Sequence, residues 1–183
     1  MNEEELRNLM FTAQQDDMGP FVIRYPRGNG VMTEWKTKFK SIKPGSGRRI
    51  KTGNDIAILT IGHVGNYAVM TCEALEADGI SVAHYDMRFI KPLDEMLLHE
   101  VFKKFDKVIT VEDGCIMGGM GSAVLEFMSD NNYSAQVIRL GIPDTIIEHG
   151  EQPQLHEECG YHPKGIAAAA RKIADKQKNV LAS

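Results

Sequence analysis

Arginine and glycine mark the places in this chain where chemistry is available. The stretch Phe21-Val-Ile-Arg-Tyr-Pro-Arg-Gly-Asn-Gly30 holds Arg24 and Arg27 at the end of an apolar, β-prone run that Pro26 stops, just before a Gly-Asn-Gly loop. A guanidinium fork matches phosphate or carboxylate bidentately, and the glycines let a ligand or another backbone approach. An ordinary salt bridge at a strand end is the competing reading. Arg88, in Asp86-Met-Arg-Phe89, and the free amides where Gly118-Gly-Met-Gly121 opens a helix offer further anion-binding groups. The glycine spacing fits neither a dinucleotide fingerprint nor a Walker loop, and short glycine runs mostly serve tight turns and close helix packing.

Other reactive side chains carry less. His156-Glu-Glu-Cys-Gly-Tyr-His162 spaces two histidines and a cysteine by threes, but Gly160 interrupts a helical face and no fourth ligand is evident, so the segment reads as a helix end and no metal site is expected. His84 and Asp86 share one face of a strand as a structural pair. No serine or cysteine occupies a nucleophile elbow, and the methionines fall on apolar helical faces as core filler.

The elements that must position these groups alternate in type. Asn2 caps a helix with Glu3, Glu4 and Glu5 in its first turn and an apolar stripe of Leu6, Leu9, Met10 and Ala13, followed by a strand over Phe21 to Tyr25. One helix and one strand cannot enclose a core, so both must pack on something else. Residues 31–47 form a linker, anchored against a neighbour by Trp35 and Phe39. Arg49-Ile-Lys51, a Thr52-Gly-Asn54 turn and Asp55 to Ile61 read as a hairpin. Strands over Ile80 to Asp86, Val108 to Val111 and Gln136 to Leu140 then alternate with helices near 65–77, 94–105, 120–128, 152–159 and 163–176, with Asp94 placed to cap the second. The expected fold is α/β: a three-layer α/β/α arrangement with a five-stranded, mostly parallel sheet and one antiparallel edge strand supplied by the hairpin, preceded by a helix-strand remnant of another α/β domain. Ligands of such sheets bind beyond the carboxyl ends of the strands. Gly62-His-Val-Gly65, Asp86 to Phe89, Glu112-Asp-Gly114 and Gly141-Ile-Pro-Asp144 all fall on that edge.

Composition narrows the class. In 183 residues, 21 basic and 25 acidic side chains give a net charge of −4, with no basic stripe to attract nucleic acid. Cys72, Cys115 and Cys159 are widely spaced and include no Cys-x-x-Cys pair, which fits a reducing cytoplasm rather than a disulfide framework. The acidic start Met1-Asn-Glu-Glu-Glu-Leu-Arg7 is unlike a signal peptide, and no apolar run approaches a bilayer span, so neither membrane nor nucleic acid is an expected partner.

Taken together, Arg24-Tyr-Pro-Arg-Gly-Asn-Gly30, Asp86-Met-Arg-Phe-Ile-Lys-Pro-Leu-Asp94, Val111-Glu-Asp-Gly114 with Met117-Gly-Gly-Met-Gly121, and Gly141-Ile-Pro-Asp144 with Ile147-Glu-His-Gly150 resemble the 1-deoxy-D-xylulose-5-phosphate synthase family in order and spacing. The matched region is roughly the last third of such an enzyme. The resemblance implies that residues 1–30 end a pyrimidine-binding domain and that 48–183 form a transketolase-type C-terminal domain. It implies a homodimeric parent that uses thiamine diphosphate and Mg2+ to decarboxylate pyruvate and join the two-carbon unit to D-glyceraldehyde 3-phosphate, for isoprenoid, thiamine and pyridoxal synthesis. Arg24 and Arg88 match the positions that hold the acceptor's phosphate. Residues three apart in an extended strand point to opposite faces, so Arg27 is expected to pack elsewhere and support the loop. Asp86, Glu112 and Asp144 become capping, linking or domain-contact residues, and the glycine run loses its nucleotide reading.

The family's Gly-Asp-Gly metal and diphosphate motif, its activating glutamate and its active-site histidines have no counterpart in this chain. Without the cofactor cradle the geometry for turnover is missing, so the chain is expected to bind no cofactor and to be inactive alone. The alternative expectation is a stand-alone interface module that associates with a separate cofactor-bearing chain.

Overall fold

The computed structural model describes residues 1–32 and 34–180; Thr33 of the expected linker and residues 181–183 of the expected C-terminal domain lie outside the described residues. Helix α1 spans Glu3–Thr12, followed by β1 (Arg48–Lys51), β2 (Ile56–Ile61), α2 (Gly65–Ala77), β3 (Val82–Asp86), α3 (Glu95–Lys104), β4 (Lys107–Cys115), α4 (Met120–Asp130), β5 (Gln136–Ile142), α5 (Gln152–Glu158) and α6 (Pro163–Val180). The five strands form one sheet in the order β1-β3-β2-β4-β5, with β1 antiparallel to β3 and the other pairs parallel.

Strand β2 is apolar on consecutive positions because both of its faces are covered. Ile56 and Ile58 face a layer formed by α2 and α6, with Val64, Ala68, Leu75, Ile166 and Ile173. Ala57 and Leu59 face the opposite layer, where Leu98, Val101 and Phe102 of α3 meet Met120, Val124 and Phe127 of α4. Each fully buried Ile or Leu contributes roughly 1.5–3 kcal/mol of transfer free energy, so the two clusters dominate the stability of this body. The helix starts follow local chemistry. Asp94 Oδ1 accepts the Leu97 amide at 2.9 Å to cap α3, and Asn2 Oδ1 accepts the Glu5 amide at 3.0 Å to cap α1.

Two sequence expectations fail. The hairpin does not form: β1 pairs with β3, and β2 lies between β3 and β4. Gly53 gives the reason. A β-carbon there would overlap the backbone of Val82 and Ala83, so the glycine admits a close passage over the start of β3 rather than a tight turn. The strand expected over Phe21 to Tyr25 is also absent. A strand needs a partner, and this segment leaves Val22 92% and Tyr25 62% exposed. Among the described residues the run pairs with no strand of the sheet, so its β-prone character is not expressed.

Residues 31–47 have no helix or strand among those described, yet this segment is ordered by α1. It runs along the helix in the same direction. Glu3 accepts the Val31 and Met32 amides, Arg7 donates to the Trp35 and Thr37 carbonyls, Asn8 accepts from Lys40, and Thr12 accepts from Ile42. Phe39 stacks on Phe11 at 5.1 Å between ring centroids, with the Arg7 guanidinium 4.4 Å from the Phe39 ring. Trp35 and Phe39 anchor this segment, and the neighbour is α1.

Candidate functional site

The parallel strands deliver their following residues to one edge, as the topology requires. Ile61 of β2 lies in register with Glu112 of β4, which places His63 and Asp113 close together despite their distance in sequence. A cavity of about 960 Å³ opens there, and its wall includes Arg24, Arg27, His63, Arg88, Glu112 and Asp113.

Arg88 is held in place from several sides. Its backbone is left-handed at φ 57°, a conformation uncommon for a non-glycine residue, and its amide donates to Asp86 Oδ1 at 3.2 Å. Its Nε and Nη2 donate to the two oxygens of Glu5, both at 2.9 Å. Glu5 also receives Arg48 Nη1 at 2.9 Å, and Arg48 in turn pairs with Asp86 at 3.1 Å. Burial pushes the Asp86 carboxyl up from its ordinary range, against the opposing pull of nearby positive charge. Two carboxylates and two guanidiniums thus form one network, which leaves Arg88 Nη1 without a partner among the described residues.

Arg24 is exposed and makes no hydrogen bond or ion pair among the described residues; a β-carbon on Gly114 would lie 3.2 Å from its Nη1. Arg27 lines the same cavity. Strand alternation would have sent it to the opposite side of the chain from Arg24, but the segment is not a strand, so that inference does not apply.

The glycine run has a definite role. Glu112 Oε2 accepts the Met120 amide and Oε1 the Gly121 amide, each at 2.8 Å, so the positive end of α4 is already neutralised by the chain's own carboxylate. A β-carbon on Gly119 would overlap that carboxylate, which explains the glycine there. The helix start therefore does not fit a diphosphate, and no cofactor step is assigned to it. Asp86 links and Glu112 caps, as expected, and Asp144 is exposed, as a domain-contact residue would be in this chain.

A second cluster beside the arginines escaped the sequence reading. His63 Nε2 lies 3.8 Å from Asp113 Oδ2, beyond hydrogen-bond range, and this buried nitrogen has no hydrogen-bond partner among the described residues. The Tyr161 hydroxyl donates to Asp113 Oδ1 at 2.9 Å, and the Tyr67 hydroxyl lies 3.0 Å from His156 Nδ1. Burial lowers the pKa of both His63 and His156, partly opposed by the Asp113 charge, and raises that of the Tyr161 hydroxyl. His156 is in the helix-end segment expected, at the close of α5. The signal that would have found the cluster is the parallel adjacency of β2 and β4, which local spacing does not encode.

A three-layer α/β unit with one antiparallel edge strand is the architecture of the C-terminal domain of transketolase-type proteins. Residues 45–166 match the family model described as transketolase, C-terminal domain, and the chain belongs to that family. The chain is 63% identical over 175 residues to the 1-deoxy-D-xylulose-5-phosphate synthase of Cytophaga hutchinsonii, covering 95% of this chain and 28% of that protein. The synthase of Bacteroides fragilis is 56% identical over 167 residues, covering 91% of this chain and 26% of the relative. The chain thus spans about a quarter of the length of these transferases. Among solved structures, a split-gene transketolase described as an inactive beta4 tetramer superposes with a TM-score of 0.67 at 32% identity, covering 74% of this chain and 43% of that one.

Proposed function

We propose that this chain is the C-terminal portion of a thiamine-diphosphate-dependent synthase that condenses pyruvate with D-glyceraldehyde 3-phosphate to 1-deoxy-D-xylulose 5-phosphate and CO2. Residues 1–30 are then the end of a pyrimidine-binding domain, 31–47 a linker and 48–183 the transketolase-type domain. The observation that carries the reading is the convergence of Arg24, Arg27 and Arg88 on one cavity at the carboxyl edge of the sheet. Arg88, braced by Glu5, keeps Nη1 available, and the Arg24 guanidinium, unpaired among the described residues, can close on the other side of a phosphate dianion. Arg27 lines the same cavity and adds positive charge beside them. Carbanion chemistry is supplied by thiamine diphosphate, with its Mg2+, when bound by parts of a longer enzyme; these residues bind and orient the acceptor.

In an enzyme that carries this segment, Arg24→Ala or Arg88→Ala lowers kcat/KM for D-glyceraldehyde 3-phosphate about ten- to a hundredfold, the loss expected for one charge-assisted contact of roughly 1.5–3 kcal/mol. The effect on pyruvate is much smaller. Arg→Lys is damaging too, because a lysine lacks the fork. Steady-state kinetics decide the matter: an unchanged constant for the aldehyde removes the assignment. The isolated chain, given both cofactors, releases no CO2 from pyruvate, and detectable release overturns that part of the reading. The likeness to a split-gene transketolase favours a second reading, a separate module that partners a cofactor-bearing chain. Co-expression with such a chain distinguishes the two, since activity restored in trans supports the module.

A further inference from the structure

We propose that His63, Asp113 and His156 form a binding site for a late first-row divalent metal ion such as zinc, with an open coordination position toward the cavity. Three elements contribute: the turn after β2, the end of β4 and helix α5. One donor atom from each residue lies within 4.8 Å of the other two. Bonds of about 2.0–2.2 Å in tetrahedral geometry place donors about 3.4 Å apart, so the cluster needs only side-chain adjustments of an ångström or so to close on an ion.

The donor chemistry selects the metal. Two imidazoles and one carboxylate suit zinc and its neighbours, whereas magnesium prefers oxygen ligands and retains water, so this site is distinct in kind from a magnesium-diphosphate cradle. The outer contacts match what such a site requires. Tyr67 engages His156 Nδ1, leaving the other ring nitrogen for the metal, and Tyr161 holds Asp113 through Oδ1, leaving Oδ2 on the His63 side. His63 Nε2, buried and without a hydrogen-bond partner among the described residues, gains a partner for its lone pair in the ion. That atom is otherwise an unexplained cost, since buried polar groups are nearly always satisfied. Three protein ligands leave a fourth position for water or substrate, and His63 and Asp113 line the cavity. The inference is independent of the arginine assignment.

Zinc affinity of the full chain is measured by competition with a chromophoric chelator, in a Cys115→Ser background that removes the exposed thiol. One equivalent of zinc binds the parent, and His63→Ala and Asp113→Asn each weaken binding about tenfold or more. His63 is partly exposed, and the amide oxygen that replaces the Asp113 carboxylate can still accept from Tyr161, so both variants retain the fold by circular dichroism. Cobalt substitution gives visible d–d bands of a low-coordinate nitrogen/oxygen site, a readout that needs no variant. Absence of zinc binding, affinity unchanged in both variants, or a purely octahedral cobalt spectrum overturns the proposal.

Discussion

The sheet body and the arm formed by residues 1–47 are held by different forces. The body buries two apolar clusters, one on each face of the sheet. In the arm, Ile42 is the one buried hydrophobic residue among those described, while Glu5, Asn8 and Thr12 are buried polar groups, each engaged by hydrogen bonds. Apolar burial is non-directional and cooperative, so the body unfolds as a unit. Hydrogen bonds contribute about 1 kcal/mol net apiece, so the arm opens locally at lower cost. The exposed Val22, Tyr25 and Val31 belong to the same weakly packed region.

The largest test of this contrast lies in the body. Glu112→Ala strands two buried amides at the start of α4 and costs about 4 kcal/mol of global stability, read as a shift of the whole urea transition with an unchanged slope. A loss confined to local exchange around α4 would break the picture of a cooperative body. Next in size is a pH effect. His84 is fully buried in β3, and desolvation, helped by the Arg48 charge, lowers its pKa from 6.5 to about 4. Between those values the unfolded chain takes up a proton that the folded chain refuses. Its contribution is complete above the unfolded value of 6.5 and falls as pH drops through that window toward the folded value of about 4, by about 3 kcal/mol. The pH slope is measured against His84→Gln, in which it flattens; identical slopes would remove His84 as the cause. Smallest is the arm. Asn8→Ala or Thr12→Val costs about 1 kcal/mol and appears as faster hydrogen exchange at Lys40 or Ile42, with the global midpoint unmoved. A lowered midpoint would mean that arm and body fold together.

What the sequence revealed depended on whether the cause was local. Caps at Asn2 and Asp94 and the alternation of buried strands with helices are written in neighbouring residues, and the structure follows them. The mistaken hairpin shows the limit: Thr52-Gly-Asn54 carries turn chemistry, but Gly53 answers to Val82 and Ala83, far away in sequence. Phe21 to Tyr25 has strand propensity and lacks a strand to pair with. At the candidate site, the motifs single out Arg24 and Arg88, and the structure places both on the wall of one cavity. The Glu5 brace on Arg88 was not, because it joins the first helix to the end of β3. His63 and Asp113 meet through sheet register, which only the assembled sheet defines.

Glu5 makes the arm and the arginine site answer to each other. Its carboxylate receives Arg88 and Arg48 at once, so the free energy of docking α1 is part of the free energy of orienting Arg88. An anion bound at the Nη1 edge is favoured by a docked helix, and by reciprocity it tightens the helix by the same factor. An anion that takes the Nε edge instead displaces Glu5 and releases the arm. Which edge a ligand chooses would therefore be readable at a distance, as slowed or hastened amide exchange along the first helix.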